Sequence, residues 1–209
     1  MSEGGLKHGD KSPKIDQSEI DRLVNSVTTR DTNSVGALTA SIENLLDFPE
    51  VFSFLKQFFA GRPVVDLACG DSHNIESFVK KLGAIKYTGV DKYVTFGPEL
   101  KRQVDAEGFI SERLQQDMLA YISSLPSESA NVIMVAVDES IVPQYGVGAD
   151  YIKALIDSMA RVVPKGGVVI GQVSPFLKQL TKRGFLQIQL PGQDPQTHPE
   201  LRLQIFLKQ

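Results

Sequence analysis

The sequence predicts an α/β protein, a three-layer sandwich around a mostly parallel seven-stranded sheet whose last strand is antiparallel. Three observations carry that prediction. Val64-Val65-Asp66-Leu67 and Tyr87-Thr88-Gly89-Val90-Asp91 are short strand-like runs on either side of residues 74–82, where Ile75, Phe78, Val79 and Leu82 recur at helical spacing. That is a β-α-β unit. Val132-Ile133-Met134-Val135-Ala136-Val137 is continuously apolar, as expected of a central parallel strand buried on both faces. Finally, residues 185–190 and 201–207 alternate with period two across a loop rich in Pro and Gln that shows no helical pattern. So short a connection makes them antiparallel neighbours.

The elements follow in order. The first 15 residues are polar, contain glycine and Pro13, and lack apolar periodicity, which predicts a flexible tail. Residues 16–61 are expected to hold N-terminal helices, and residues 62–209 the core. Ile20, Leu23, Val24 and Val27 fit an amphipathic helix with Asp16 or Ser18 as its N-cap. Further on, Pro49 is placed to begin a helix carrying Phe52, Leu55, Phe58 and Phe59, since proline is tolerated in a first turn. The spacing of those aromatics favours a core helix over a ligand pocket. After the β-α-β unit the pattern predicts a helix over 96–104, a strand over 110–116 ending at Asp117-Met118, and a strand over 131–138. A helix over 151–163 then leads through Pro164-Lys165-Gly166-Gly167 into a strand over 168–171, and a helix is expected over 175–183.

The chemistry is concentrated where the first strand ends. A small-residue turn lets backbone N–H groups approach a ligand, and a carboxylate ending the next strand can accept hydrogen bonds from ribose hydroxyls. The unit therefore reads as a nucleoside-cofactor site. A dinucleotide fingerprint needs three spaced glycines, and Ala68-Cys69-Gly70-Asp71-Ser72-His73 supplies only the middle one. What the segment resembles is the first motif of class I S-adenosylmethionine-dependent methyltransferases, an acid followed by alternating small residues. Asp66, Ala68, Gly70 and Ser72 occupy its positions here, with Ala68 and Ser72 standing where glycines are usual. The Pro164-Lys165-Gly166-Gly167 turn and the reversed final strand resemble the same Rossmann-like class, so the likeness runs from about Val64 to the end.

That resemblance implies S-adenosyl-L-methionine as cofactor and residue roles to match. The backbone of Ala68, Cys69, Gly70 and Asp71 would hold the amino-acid portion, with Asp66 accepting from its ammonium directly or through water. Asp91 would take the ribose hydroxyls beside Lys92 or Tyr93. Asp117 would accept from the adenine amino group with Met118 against the ring, and the residues alone read Asp117 equally as a helix N-cap. Asp138, at the strand end where ligands bind in open α/β sheets, would also face the cofactor. Should the acceptor carry a proton, Asp138, Glu139 and His73 are the candidate bases, with Tyr145 and His198 on loops behind them.

Other chemistries find little support. No H-E-x-x-H, paired Cys-x-x-Cys, P-loop or G-x-S-x-G motif occurs, and a single cysteine excludes an internal disulfide. The formal charge of −3 and scattered lysine and arginine pairs give no general attraction to nucleic acid. No apolar run approaches the roughly 20 residues that cross a bilayer, and the start lacks a secretory apolar segment, so a cytoplasmic protein is expected. Asp138-Glu139-Ser140-Ile141 stands where many nucleic-acid and protein amide methyltransferases carry an N-P-P-[YF]-like tetrapeptide. A small-molecule acceptor is therefore favoured. The alternatives are a catalytically degenerate binding or scaffolding protein of this fold and a nicotinamide-binding oxidoreductase.

Overall fold

The computed structural model describes residues 49–71, 73–135, 137, 148–172, 174–188 and 203–209. Within them the strands are β1 (Pro63–Leu67), β2 (Lys86–Asp91), β3 (Arg102–Val104), β4 (Ile110–Gln115), β5 (Asn131–Met134), β6 (Val168–Gln172), β7 (Phe185–Ile188) and β8 (Leu203–Lys208). The helices are α1 (Pro49–Phe59), α2 (Asn74–Lys81), α3 (Pro98–Lys101), α4 (Met118–Ser124) and α5 (Ala149–Val162), with a 3-10 helix at Leu177–Arg183. All strands join one sheet in the order β3-β4-β2-β1-β5-β6-β8-β7.

From β4 through β6 every pairing is parallel, and β8 enters antiparallel between β6 and β7. The first described strand, β1, lies in the middle of the sheet; the chain builds outward through β2 to the β3–β4 hairpin, then returns to place β5 on the other side of β1. The gap between the carboxyl ends of β1 and β5 is thus the point where strand order reverses, and open α/β sheets bind ligands there.

Helices cover both faces because their apolar stripes demand it. On one side α1 buries Val51, Leu55, Phe58 and Phe59, and α2 buries Ile75, Phe78 and Val79, against Val64, Tyr87, Ile133 and Ile170. Phe59 meets Phe78 edge to face at 6.2 Å between ring centroids. On the other side α5 buries Ile152, Leu155, Ile156, Met159 and Val162 against Val65, Leu67, Val132 and Val169. Buried Asn131 ties layers together: its amide donates to the Phe58 carbonyl (2.8 Å), and its Oδ1 accepts from Val168 N–H (2.9 Å).

Three expectations need correction. The helix over 96–104 is only the single turn α3, and Arg102–Val104 instead forms β3, giving eight strands among the described residues rather than seven. The cause is a hairpin nucleated by Asp105, whose Oδ1 accepts from both Glu107 N–H and Phe109 N–H at 2.9 Å, so the chain turns back and Arg102–Val104 pairs with Ile110–Glu112. The fifth strand ends at Met134 although the apolar run continues, since strand pairing to β6 stops there. The helix over 175–183 is a 3-10 helix from Leu177. The expected helix at residues 20–27, Ser72, and Asp138, Glu139, Ser140, Tyr145 and His198 lie outside the described residues.

Candidate functional site

The site is built on the turn leaving β1. Ala68 has φ +59° and Gly70 has φ +61°, so the backbone passes twice through the left-handed region. Glycine adopts that region without cost, whereas an alanine there carries roughly 1–2 kcal/mol of strain. Nothing lies within 4 Å of where a Cβ on Gly70 would stand, so this side of the turn is open.

Asp91, at the tip of β2, holds the turn in place. Its Oδ2 accepts from Gly70 N–H at 3.1 Å, while Oδ1 accepts from Tyr93 N–H (2.8 Å) and Val94 N–H (3.2 Å). A carboxylate oxygen offers about two acceptor positions. Oδ1 is therefore filled, and Oδ2 keeps capacity for one more donor. Cys69 N–H bonds the Val90 carbonyl at 3.2 Å and adds a second tie between turn and strand.

Asp66, on the strand that leads into the turn, is buried. It is 2% exposed, and its Oδ2 accepts the Tyr87 hydroxyl at 2.9 Å. Burial pushes its pKa from 3.8 to about 7, against the lowering effects of the Tyr87 hydrogen bond and the Arg113 charge. Burial, with Asp66 nearby, likewise pushes the Cys69 thiol far above its ordinary range. This cysteine is a packed small side chain and not a nucleophile.

The adjacent strands contribute residues that the sequence reading did not single out. Arg113 on β4 is 1% exposed and directs Nη2 to Glu76 Oε2 and His73 Nδ1, both at 3.0 Å. Burial opposes ionisation of Glu76, but hydrogen bonds from Arg113 and Ser111 outweigh it and hold that carboxyl below its ordinary value. His73 itself is largely exposed. The available signal for this cluster was a lone arginine in a strand, Ser111 and Arg113 sharing one face of β4; period-two reading looks for apolar faces and passes over it.

Farther along the same edge, Asp117 caps α4 by accepting Ala120 N–H at 3.0 Å, and its second oxygen accepts the Tyr151 hydroxyl at 3.0 Å. Burial, then the Asp117 charge, raises the Tyr151 pKa well above its ordinary value. Met118 sits in the core with Val65, Leu67 and Val90. Lys92 is exposed, its ammonium 5.6 Å from the Tyr93 ring centroid. Asp71 is exposed beside the turn. The fold thus gathers Ala68, Cys69, Gly70, Asp71, Asp91 and Lys92 around one bend, with Asp66 buried on the strand before it and Asp117 at the end of the strand row beyond β2. No cluster of metal-ligating side chains occurs among the described residues, and no helix among them is long and apolar enough to cross a membrane.

No family model and no curated protein matches the chain. Solved structures do. Magnesium protoporphyrin IX methyltransferase from Synechocystis PCC 6803, determined with S-adenosylmethionine bound, superposes with a TM-score of 0.53 at 16% identity, over 95% of this chain and 100% of that one. A TehB-like S-adenosylmethionine-dependent methyltransferase from Corynebacterium glutamicum gives 0.47 at 14% identity, over 92% and 97%. The sugar N-methyltransferase KedS8 from Streptoalloteichus sp. gives 0.46 at 15%, over 100% and 99%. At 16% identity the first likeness shows the fold, and its Rossmann-like sheet is the one described above.

Proposed function

We propose that this chain, whose fold is the Rossmann-like fold of class I S-adenosylmethionine-dependent methyltransferases, binds that cofactor at residues 68–71 and passes its methyl group to a small-molecule acceptor. One observation carries the reading. A bend open at Gly70 is bonded to an acid at the tip of the next strand, beside the point where strand order reverses. The residues fit the group: Gly70 lets the backbone be approached closely, and Asp91 Oδ2 has acceptor capacity left for one ribose hydroxyl, while the Cys69 and Gly70 N–H groups are already bonded within the protein.

When bound, the cofactor supplies a methyl group already made electrophilic by its sulfonium, so the protein's task is binding and alignment. Asp91 would hold the sugar. Asp117, its second oxygen bonded by the Tyr151 hydroxyl, would accept from the adenine amino group. Asp66 acts from β1, through the Tyr87 hydroxyl and the backbone it supports, because burial keeps its oxygens from direct contact. For an acceptor that must lose a proton we assign the base to Asp138 or Glu139. His73 is the weaker candidate: its Nδ1 accepts from Arg113, which places the ring proton on Nε2. The small-molecule class is supported by the net charge of −3 and by Asp138-Glu139-Ser140-Ile141 in place of an amide-methyltransferase tetrapeptide.

Filter retention tests the cofactor. Tritium-labelled S-adenosylmethionine should be retained with the protein and displaced by S-adenosylhomocysteine, and labelled NAD should not. Retention of NAD alone would replace this reading with the oxidoreductase.

A further inference from the structure

The bend is braced from two strands away. Arg113 on β4, Gly89 on β2 and Asp66 on β1 share one row of the sheet. A Cβ on Gly89 would stand 2.8 Å from Cys69 Sγ and 2.9 Å from the Tyr87 hydroxyl, so the missing side chain leaves the space through which Tyr87 reaches Asp66. The Arg113 guanidinium lies 5.7 Å from the Tyr87 ring centroid and 5.9 Å from that of Phe96. Its Nη2 meets His73 and Glu76, where the chain leaves the bend and enters α2. One buried cation therefore touches both arms: the entering arm through Tyr87 and Asp66, the leaving arm directly.

Nη2 can only donate, so His73 Nδ1 must offer its lone pair, and the neutral ring carries its proton on Nε2. The 3.4 Å approach of Nδ1 to Glu76 Oε2 is then two acceptors served by the two hydrogens of one nitrogen. A lysine lacks the planar fork and the flat face that rests on Tyr87 and Phe96.

We infer that Arg113 is a positioning residue for the bend at residues 68–71, fixing its shape through His73 and Glu76 on one side and Tyr87 and Asp66 on the other. The inference rests on the proposed function only in taking that bend as the cofactor's seat. Two readouts separate the claims. In the ligand-free protein, nitrogen NMR of the His73 ring should show the Nε2–H tautomer with a hydrogen-bonded Nδ1, and the Nδ1 shift should move to that of an unbonded imidazole nitrogen in Arg113→Gln. In titrations with S-adenosylhomocysteine, Arg113→Gln should weaken binding by about 10-fold or more, the scale on which supporting-shell losses act. Arg113→Lys should not restore it, and adding His73→Ala to Arg113→Gln should cost little further. Should Arg113→Gln fail to fold, Glu76→Gln and His73→Ala carry the test on less buried side chains, each expected to weaken binding. An Nδ1–H tautomer in the wild type, or undiminished affinity in all folded variants, overturns the inference. Absence of any binding by the wild type would overturn the cofactor reading instead, leaving the tautomer to decide whether Arg113 braces the bend.

Discussion

Replacing Asp66 by asparagine removes a charge that burial disfavours while keeping an oxygen to accept from Tyr87. The carboxyl's pKa rises from 3.8 to about 7 on folding. A raised acid pKa means that the stability it contributes is fully present below the unfolded value and is lost as pH climbs through the folded one. At 1.36 kcal/mol per pH unit the loss reaches about 4 kcal/mol, complete above about pH 7. The asparagine amide brings its own buried N–H groups, which cost about 1–3 kcal/mol where they find no acceptor. Asp66→Asn should therefore be about 1–3 kcal/mol more stable than the wild type at about pH 8, and no more stable than it at about pH 4. Urea unfolding of both proteins across that range measures the difference directly. If the gap between them stays constant from pH 4 to 8, Asp66 is not the buried, proton-holding group described here.

Three further outcomes are expected. Gly89→Ala forces a Cβ against Cys69 and Tyr87 and should cost about 1–3 kcal/mol in urea unfolding, the range for overpacked cores; an unchanged midpoint would contradict that packing. Ala68→Gly relieves a left-handed alanine worth roughly 1–2 kcal/mol, partly offset by about 0.4–1 kcal/mol of unfolded-chain entropy, so the variant should gain about 0.5 kcal/mol, and a clear loss would refute the strained turn. Asp117→Ala removes the α4 cap and should cost about 1 kcal/mol, while Tyr151→Phe leaves the cap in place and should shift stability less; equal losses by thermal unfolding would argue against the cap as the main term.

The architecture was legible because hydrophobic period and connection length nearly determine it. The continuous apolar run at Val132, Ile133 and Met134 is the mark of a strand buried on both faces, and the link before β8, without a helical pattern, points to the antiparallel pairing that β7 and β8 make. The bend and its acid were legible from small residues after Asp66 and a strand ending on Asp91. What escaped was set by one turn residue and by tertiary contact. Asp105 closes a hairpin through two backbone N–H groups, and that local chemistry overrides a helical apolar spacing. Arg113, Tyr87 and Glu76 meet only when β2, β4 and α2 are assembled, and no interval along the chain announces it. Nor does a sequence reveal whether a carboxylate before a turn is buried, so Asp66 reads as a ligand-facing acid although it is a buried one.

Calorimetric titration of S-adenosylhomocysteine into the folded wild type and Asp91→Ala addresses the central claim most directly. One saturable site should appear in the wild type and weaken by about 10-fold or more when the Asp91 carboxylate is lost. No heat at about millimolar ligand, or a site indifferent to Asp91, would contradict the assignment of this bend as the cofactor's seat.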